Sequence, residues 1–173
     1  MRYKYAFLFS LVLGASAAMA TSYSGPVKQT VYSCNGGYYA VLDPAKEEQY
    51  VYKKDKNVKA VWSFSFRPEM DTWLVPDNGE FVACIRWRFV RLEDLDRPAI
   101  IIFRKDGTRA EYSYNSLGKA RRTGLFETAP KGSFWRVWYE ELKMENNRVE
   151  IFTHDERRIT LSGDDGRVDV WRD

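Results

Sequence analysis

The sequence predicts an all-β fold, an antiparallel meander of about three repeated β-sheet units. Three observations carry that prediction. Short apolar runs alternate with turns rich in Asn, Asp and Gly along most of the chain. One segment recurs: Asn35-Gly36-Gly37-Tyr38-Tyr39-Ala40-Val41-Leu42 aligns with Asn78-Gly79-Glu80-Phe81-Val82-Ala83-Cys84-Ile85 at an offset of 43 residues, a period that points to stacked supersecondary units. Aromatic residues make up 16% of the chain and are spread along it rather than clustered, which suits strands with well-filled faces.

Taken in order, the chain opens with a tripartite leader. Arg2 and Lys4 are followed by a nearly unbroken apolar run and then by small residues ending Ala18-Met19-Ala20. This is the pattern of a cleavable signal peptide over residues 1–20, cut before Thr21. The run is shorter than the roughly 20 residues a membrane-spanning helix needs, and no later stretch is long and apolar enough to span. The expectation is therefore a periplasmic or secreted protein with one domain over residues 21–173. Cleavage takes two of the 27 basic residues and none of the 24 acids, leaving 25 against 24 and a net charge of +1. Such a balance argues against a nucleic-acid binder.

In the first unit, about 31–66, the Asn-Gly turn leads into an apolar strand, and the runs 49–54 and 58–66 flank the polar turn Asp55-Lys56-Asn57. The second unit, about 74–117, repeats this with runs 100–104 and 108–114 around Lys105-Asp106-Gly107, plus an insertion over 93–98. Residues 115–132 hold four glycines and prolines together with Arg121 and Arg122, which predicts a long irregular loop. The third unit, about 134–173, has runs 134–144, 148–153, 158–161 and 167–171. In all, about eleven short strands are expected. Helix signals are confined to a single turn at Glu93-Asp94-Leu95 and an ambiguous stretch at 139–144.

The spacing, the Asn-Gly entry to each unit and the hairpin ending in Trp62 resemble the blades of a β-propeller, well over 31–114 and more loosely over 134–170. The overall pattern is also similar to that of secreted bacterial proteins of uncharacterised activity. A propeller closes with at least four blades, whereas this chain has material for three. The resemblance thus implies a partial propeller or a sandwich-like stack.

Cys34 and Cys84 form an even pair in an oxidising compartment, and a disulfide between them is expected to stabilise the fold by about 4 kcal/mol. The alternative is two separately buried thiols. Catalytic motifs are few. His154, the single histidine, sits beside Asp155 and Glu156 without the further ligands a zinc site needs. Nothing partners a serine or cysteine nucleophile. The acids fall mostly at turns, among them Asp43, Asp55, Asp77, Asp106, Asp164 and Asp165, where backbone hydrogen bonding explains them. Asp164-Asp165-Gly166 lacks the rest of a calcium-loop pattern. No cofactor and no metal site are expected.

Binding features are better represented. If residues 85–91 form one strand, alternation puts Arg86 and Arg88 on one face, able to grip a carboxylate or phosphate. Trp87, Phe89 and Arg91 then occupy the other. In residues 134–139, Phe134 and Trp138 share one face while Trp135, Val137 and Tyr139 share the opposite one. One of these aromatic sets is a candidate stacking platform for sugars or partner side chains. The candidate ligand-binding residues are Arg86, Arg88, Trp135 and Trp138, with Arg121 and Arg122 in the loop. The expected function is a non-enzymatic binding module of the cell envelope, taking a protein or carbohydrate ligand outside the cytoplasm. The alternatives are a carbohydrate-active enzyme using a carboxylate pair and a self-associating structural envelope protein.

Overall fold

The computed structural model describes residues 26–55, 59–69, 71–87, 89–118, 121–122, 135–145 and 147–172. The expected signal peptide lies outside them. Four strands, β1 (Gln29–Tyr32), β2 (Tyr38–Leu42), β3 (Glu48–Lys53) and β4 (Ala60–Ser65), form a first antiparallel sheet in sequence order. The chain continues through β5 (Thr72–Leu74), β6 (Phe81–Ile85), β7 (Phe89–Arg91), β8 (Pro98–Arg104) and β9 (Arg109–Ser113). Of these, β5, β6, β8 and β9 make a second four-stranded sheet. A one-turn helix, α1 (Tyr114–Leu117), is capped by Ser113, whose hydroxyl accepts from the Ser116 amide. Next come β10 (Arg121–Arg122) and β11 (Trp135–Val137), which with β7 form a small three-stranded sheet in the order β10-β11-β7. The last sheet is another sequential meander of β12 (Glu141–Glu145), β13 (Arg148–Phe152), β14 (Arg157–Ser162) and β15 (Val168–Arg172). All pairings are antiparallel, and none of the sheets closes into a barrel.

The all-β prediction therefore holds, with one four-stranded sheet per repeat. The described residues contain fifteen strands rather than about eleven. Short β5 and β10 have no sequence signal that separates them from their surroundings, and the single runs 85–91 and 134–144 each divide into two elements. Of the ambiguous stretch at 139–144, residues 141–144 belong to β12, and the expected turn near Glu93 is a 3₁₀ turn over Leu92–Asp94.

The sheets stack as three layers with the second in the middle. Strand β6 is buried at every position, as are the five inner residues of β8. Alternation then sends neighbours to opposite layers. Phe81, Ala83, Ile85, Ile100 and Ile102 pack with Val149, Ile151, Ile159 and Leu161 of the last sheet. Val82, Cys84, Ile101 and Phe103 pack with Ala40, Leu42, Val51 and Phe64 of the first. A strand covered on both faces must be apolar throughout, which explains the unbroken apolar character of both segments.

The repeated turns also join the layers. The Asn35 amide in the β1–β2 turn donates to Asp77 Oδ1 at 2.8 Å, and the Asp77 amide donates to Asn147 Oδ1 at 3.2 Å. Gly36 and Gly79 take the same left-handed conformation, φ +67° and +68°. At Gly79 the absent side chain matters twice: a Cβ there would stand 2.3 Å from the Tyr38 ring. Its carbonyl accepts from Trp62 Nε1 at 2.8 Å. Gln49, fully buried, bonds the Asp43 amide and the Asp43, Lys46 and Phe66 carbonyls, closing the β2–β3 hairpin onto the end of β4.

The expected disulfide is absent. Cys34 is an exposed free thiol in the β1–β2 turn, whereas Cys84 is a free thiol enclosed between the first two sheets. They stand on different layers, and Cys84 is occupied by neighbours of its own. Among the described residues no helix is long and apolar enough to cross a membrane.

Candidate functional site

The strand expected over 85–91 breaks after Ile85, and a cleft of about 590 Å³ opens there. The Arg86 amide still bonds Ala99 O at 2.8 Å, but the chain then leaves the second sheet so that β7 can pair with β11. The unbroken strand expected over 85–91 is therefore divided into β6 and β7. Arg88 lies outside the described residues. Arg121 and Arg122 form β10, Trp135 begins β11, and the two strands pair with each other.

Arg86 sits on the same side of the central sheet as Cys84. Its guanidinium meets two carboxylates from the β4–β5 connection: Nη2 contacts Glu69 Oε2 at 2.7 Å and Nη1 contacts Asp71 Oδ2 at 3.2 Å. It also lies over the Phe66 ring, 5.8 Å from the centroid. The Asp71 side chain is only 1% exposed, against 22% for Arg86. Burial raises the Asp71 carboxyl above its ordinary value, and the Arg86 charge offsets this only in part. Burial likewise pushes the Cys84 thiol well up, with the Asp71 charge adding to it, so the thiol is a poor nucleophile. The buried Tyr114 hydroxyl is pushed up by desolvation against the same arginine. Arg86 stays charged because Asp71 and Glu69 outweigh its own desolvation.

Arg86, expected as an anion-binding residue, is set against a buried acid of the protein itself. Removing one member of such a pair typically costs about 3–5 kcal/mol, since the other is left charged and dry.

Trp138, expected as a stacking residue, is placed in the core. It is 2% exposed, packs edge-on against Tyr114 and Tyr139, and donates from Nε1 to Trp87 O at 2.9 Å. Its rings face other core aromatics. What it does is fix the backbone of Trp87, whose own side chain is 40% exposed on the cleft wall. Arg91, Arg97 and Arg109 also line the cleft. Arg97 pairs with Asp94 at 2.9 Å, while Arg109 pairs with Glu111 and lies over Phe103.

Glu69, Asp71 and Tyr114 have no sequence signal that marks them out, and Trp87 is readable only as part of an opposing face. The two acids look like ordinary loop residues. His154 occupies the β13–β14 turn with Nδ1 against Glu140. Among the described residues no three His, Cys, Asp or Glu side chains are grouped to hold a metal ion.

No protein-family model matches the chain, and no curated protein matches it by sequence.

Proposed function

We propose that the protein is an exported, non-enzymatic binding module of the cell envelope whose ligand seat is the cleft beside the central sheet. The observation that carries this reading is the cleft itself. Its volume of about 590 Å³ falls within the range of ligand pockets. Trp87 offers an indole on its wall, and Arg91 and Arg97 stand at its margin over a floor fixed by the Arg86 network. A ligand with a ring or apolar face and a negative group fits that chemistry: the indole stacks, and an arginine receives the charge. An acidic saccharide has both features.

A carbohydrate-active enzyme is the second reading, favoured by one specific observation. Glu69 and Asp71 meet on a single guanidinium, so they lie closer than the roughly 10 Å upper limit for a hydrolytic pair. Against it, Asp71 is turned away from solvent toward Cys84, where it cannot protonate a leaving group.

Calorimetric titration with oligogalacturonate tests the binding reading. Saturable binding is expected in the wild type, weakened about tenfold in Trp87→Ala, an amount in keeping with one lost stacking contact. No saturable binding, or release of reducing ends from the probe, would sink it. Export is checked separately by sequencing the N-terminus of the protein recovered outside the cytoplasm. It should begin at Thr21; finding the chain only in the cytoplasm would refute export, and an external chain still starting at Met1 would refute the cleavage.

A further inference from the structure

A second site lies on the outward face of the last sheet, where a depression of about 290 Å³ runs along β15 toward the β14–β15 turn. Alternation builds it. Val168 turns inward to the core, so Arg167, Asp169 and Trp171 turn outward. The register sets Thr160 opposite Asp169, and Ser162 opposite Arg148 of β13.

Two properties define what it can hold. The first is charge: Arg148 and Arg167 are balanced by Asp164 and Asp169, with Arg167 Nε 3.0 Å from Asp169 Oδ2. An ionic ligand would meet as much repulsion as attraction. The second is the mixture of surfaces. Trp171, 53% exposed, supplies an aromatic face at one end, while Thr160, Ser162 and the carboxylate of Asp169 supply donors and acceptors along the floor. On the neighbouring rows the charged groups are engaged with one another and with the ring beside them: Lys143 meets Glu141 at 3.2 Å and lies over Phe152. A neutral pyranose has the chemistry that complements these surfaces. Its C–H face stacks on an indole, its hydroxyls both donate and accept, and it carries no charge.

We propose that this depression is a saccharide subsite for one neutral sugar ring, with Trp171 as the stacking residue and Asp169 as the acceptor for its hydroxyls. It is separate from the cleft at Trp87 and does not depend on it.

The test uses the purified protein labelled with ¹⁵N at tryptophan, whose six indoles report individually. Cellohexaose and chitohexaose are the probes, with oligogalacturonate as the charged comparison. Both substituted positions are on the surface, and the unliganded spectrum of the remaining indoles verifies the fold of each variant. The expected result is a saturable shift of the indole signal that disappears in Trp171→Phe, with at least one of the two neutral probes. That affinity should fall about tenfold or more in Asp169→Ala, as for loss of a charged hydrogen-bond partner. The proposal is overturned if neither neutral probe moves the Trp171 signal. It is equally overturned if Asp169→Ala binds as well as the wild type, or if oligogalacturonate moves that signal more than the neutral probes do.

Discussion

At the scale of single residues, Asp71 and Arg86 show how a side chain suited to ligand binding can be consumed by the protein itself. A raised carboxyl means that the native state holds the Asp71 proton more tightly than the unfolded chain does. Its contribution to stability is therefore largest below the ordinary carboxylate value, roughly pH 4. It declines as pH rises through the higher native value. The exposed acids Asp106 and Asp165 act in the opposite sense. Hydrogen bonds, from Thr108 in the first and from the Arg167 amide in the second, lower their values, so their contributions are lost as pH falls. Subtracting a variant isolates the buried group. Measured by urea unfolding, Asp71→Asn is expected to gain on the wild type as pH is raised from about 3 to 7. A difference that stays flat with pH would refute burial as the cause. Arg86→Ala should lose about 3–5 kcal/mol at neutral pH, so loss of ligand binding in that variant says nothing about a direct contact. None of this was legible in the sequence. An arginine beside a tryptophan reads the same whether it faces solvent or a buried acid, and Trp138 reads as an aromatic stripe whether it is platform or core. The deciding partners, Glu69 and Asp71, come from a loop fifteen or more residues upstream.

At the scale of elements, the turns were the most readable parts of the chain, because Asn-Gly has a specific conformational cause. The recurring pair at 35–36 and 78–79 places a glycine where φ is positive in each repeat. The strands buried on both faces were legible from their unbroken apolar runs. The fate of residues 85–91 was not: alternation continues smoothly through Arg86 and Trp87, and only pairing of β7 with distant β11 ends the strand. The turn at Gly79 also does more than a hairpin requires, since Tyr38 of the first sheet packs directly onto it. Comparison with Gly107 separates the two effects. Gly107 has φ +84° and nothing within 4 Å of where an added methyl would stand, so Gly107→Ala should cost only the conformational penalty of about 1–2 kcal/mol. Gly79→Ala carries the same penalty and forces Tyr38 and the first sheet away from the turn. Thermal unfolding is expected to place Gly79→Ala clearly below Gly107→Ala. Equal losses would mean that the contact between the layers at this turn contributes nothing.

For the whole molecule, the central sheet is the element on which both others depend. Its β6 and β8 side chains alternate between the two cores, so neither outer sheet can leave without exposing half of them. At roughly 1.5–3 kcal/mol for each fully buried large aliphatic or aromatic side chain, losing one layer costs more than the roughly 5–15 kcal/mol by which a domain of this size is usually stable. The three sheets should therefore unfold as one unit, although each is a complete local meander. The two cysteines provide the measurement. Cys34 is exposed and should react with a thiol reagent at once, giving one modified thiol per native chain. Cys84 lies between the first and central sheets, and in the native state its raised thiol value protects it further. It can react only when those two layers separate. If unfolding is cooperative, the opening free energy from the Cys84 labelling rate should equal the global value from urea unfolding, and both should fall together in Gly79→Ala. Labelling of Cys84 that is much faster than global unfolding would show that the first sheet peels away alone. The stack would then be a two-layer core with a detachable outer sheet, and the turn-to-turn bonds from Asn35 to Asp77 would be too weak to couple the layers.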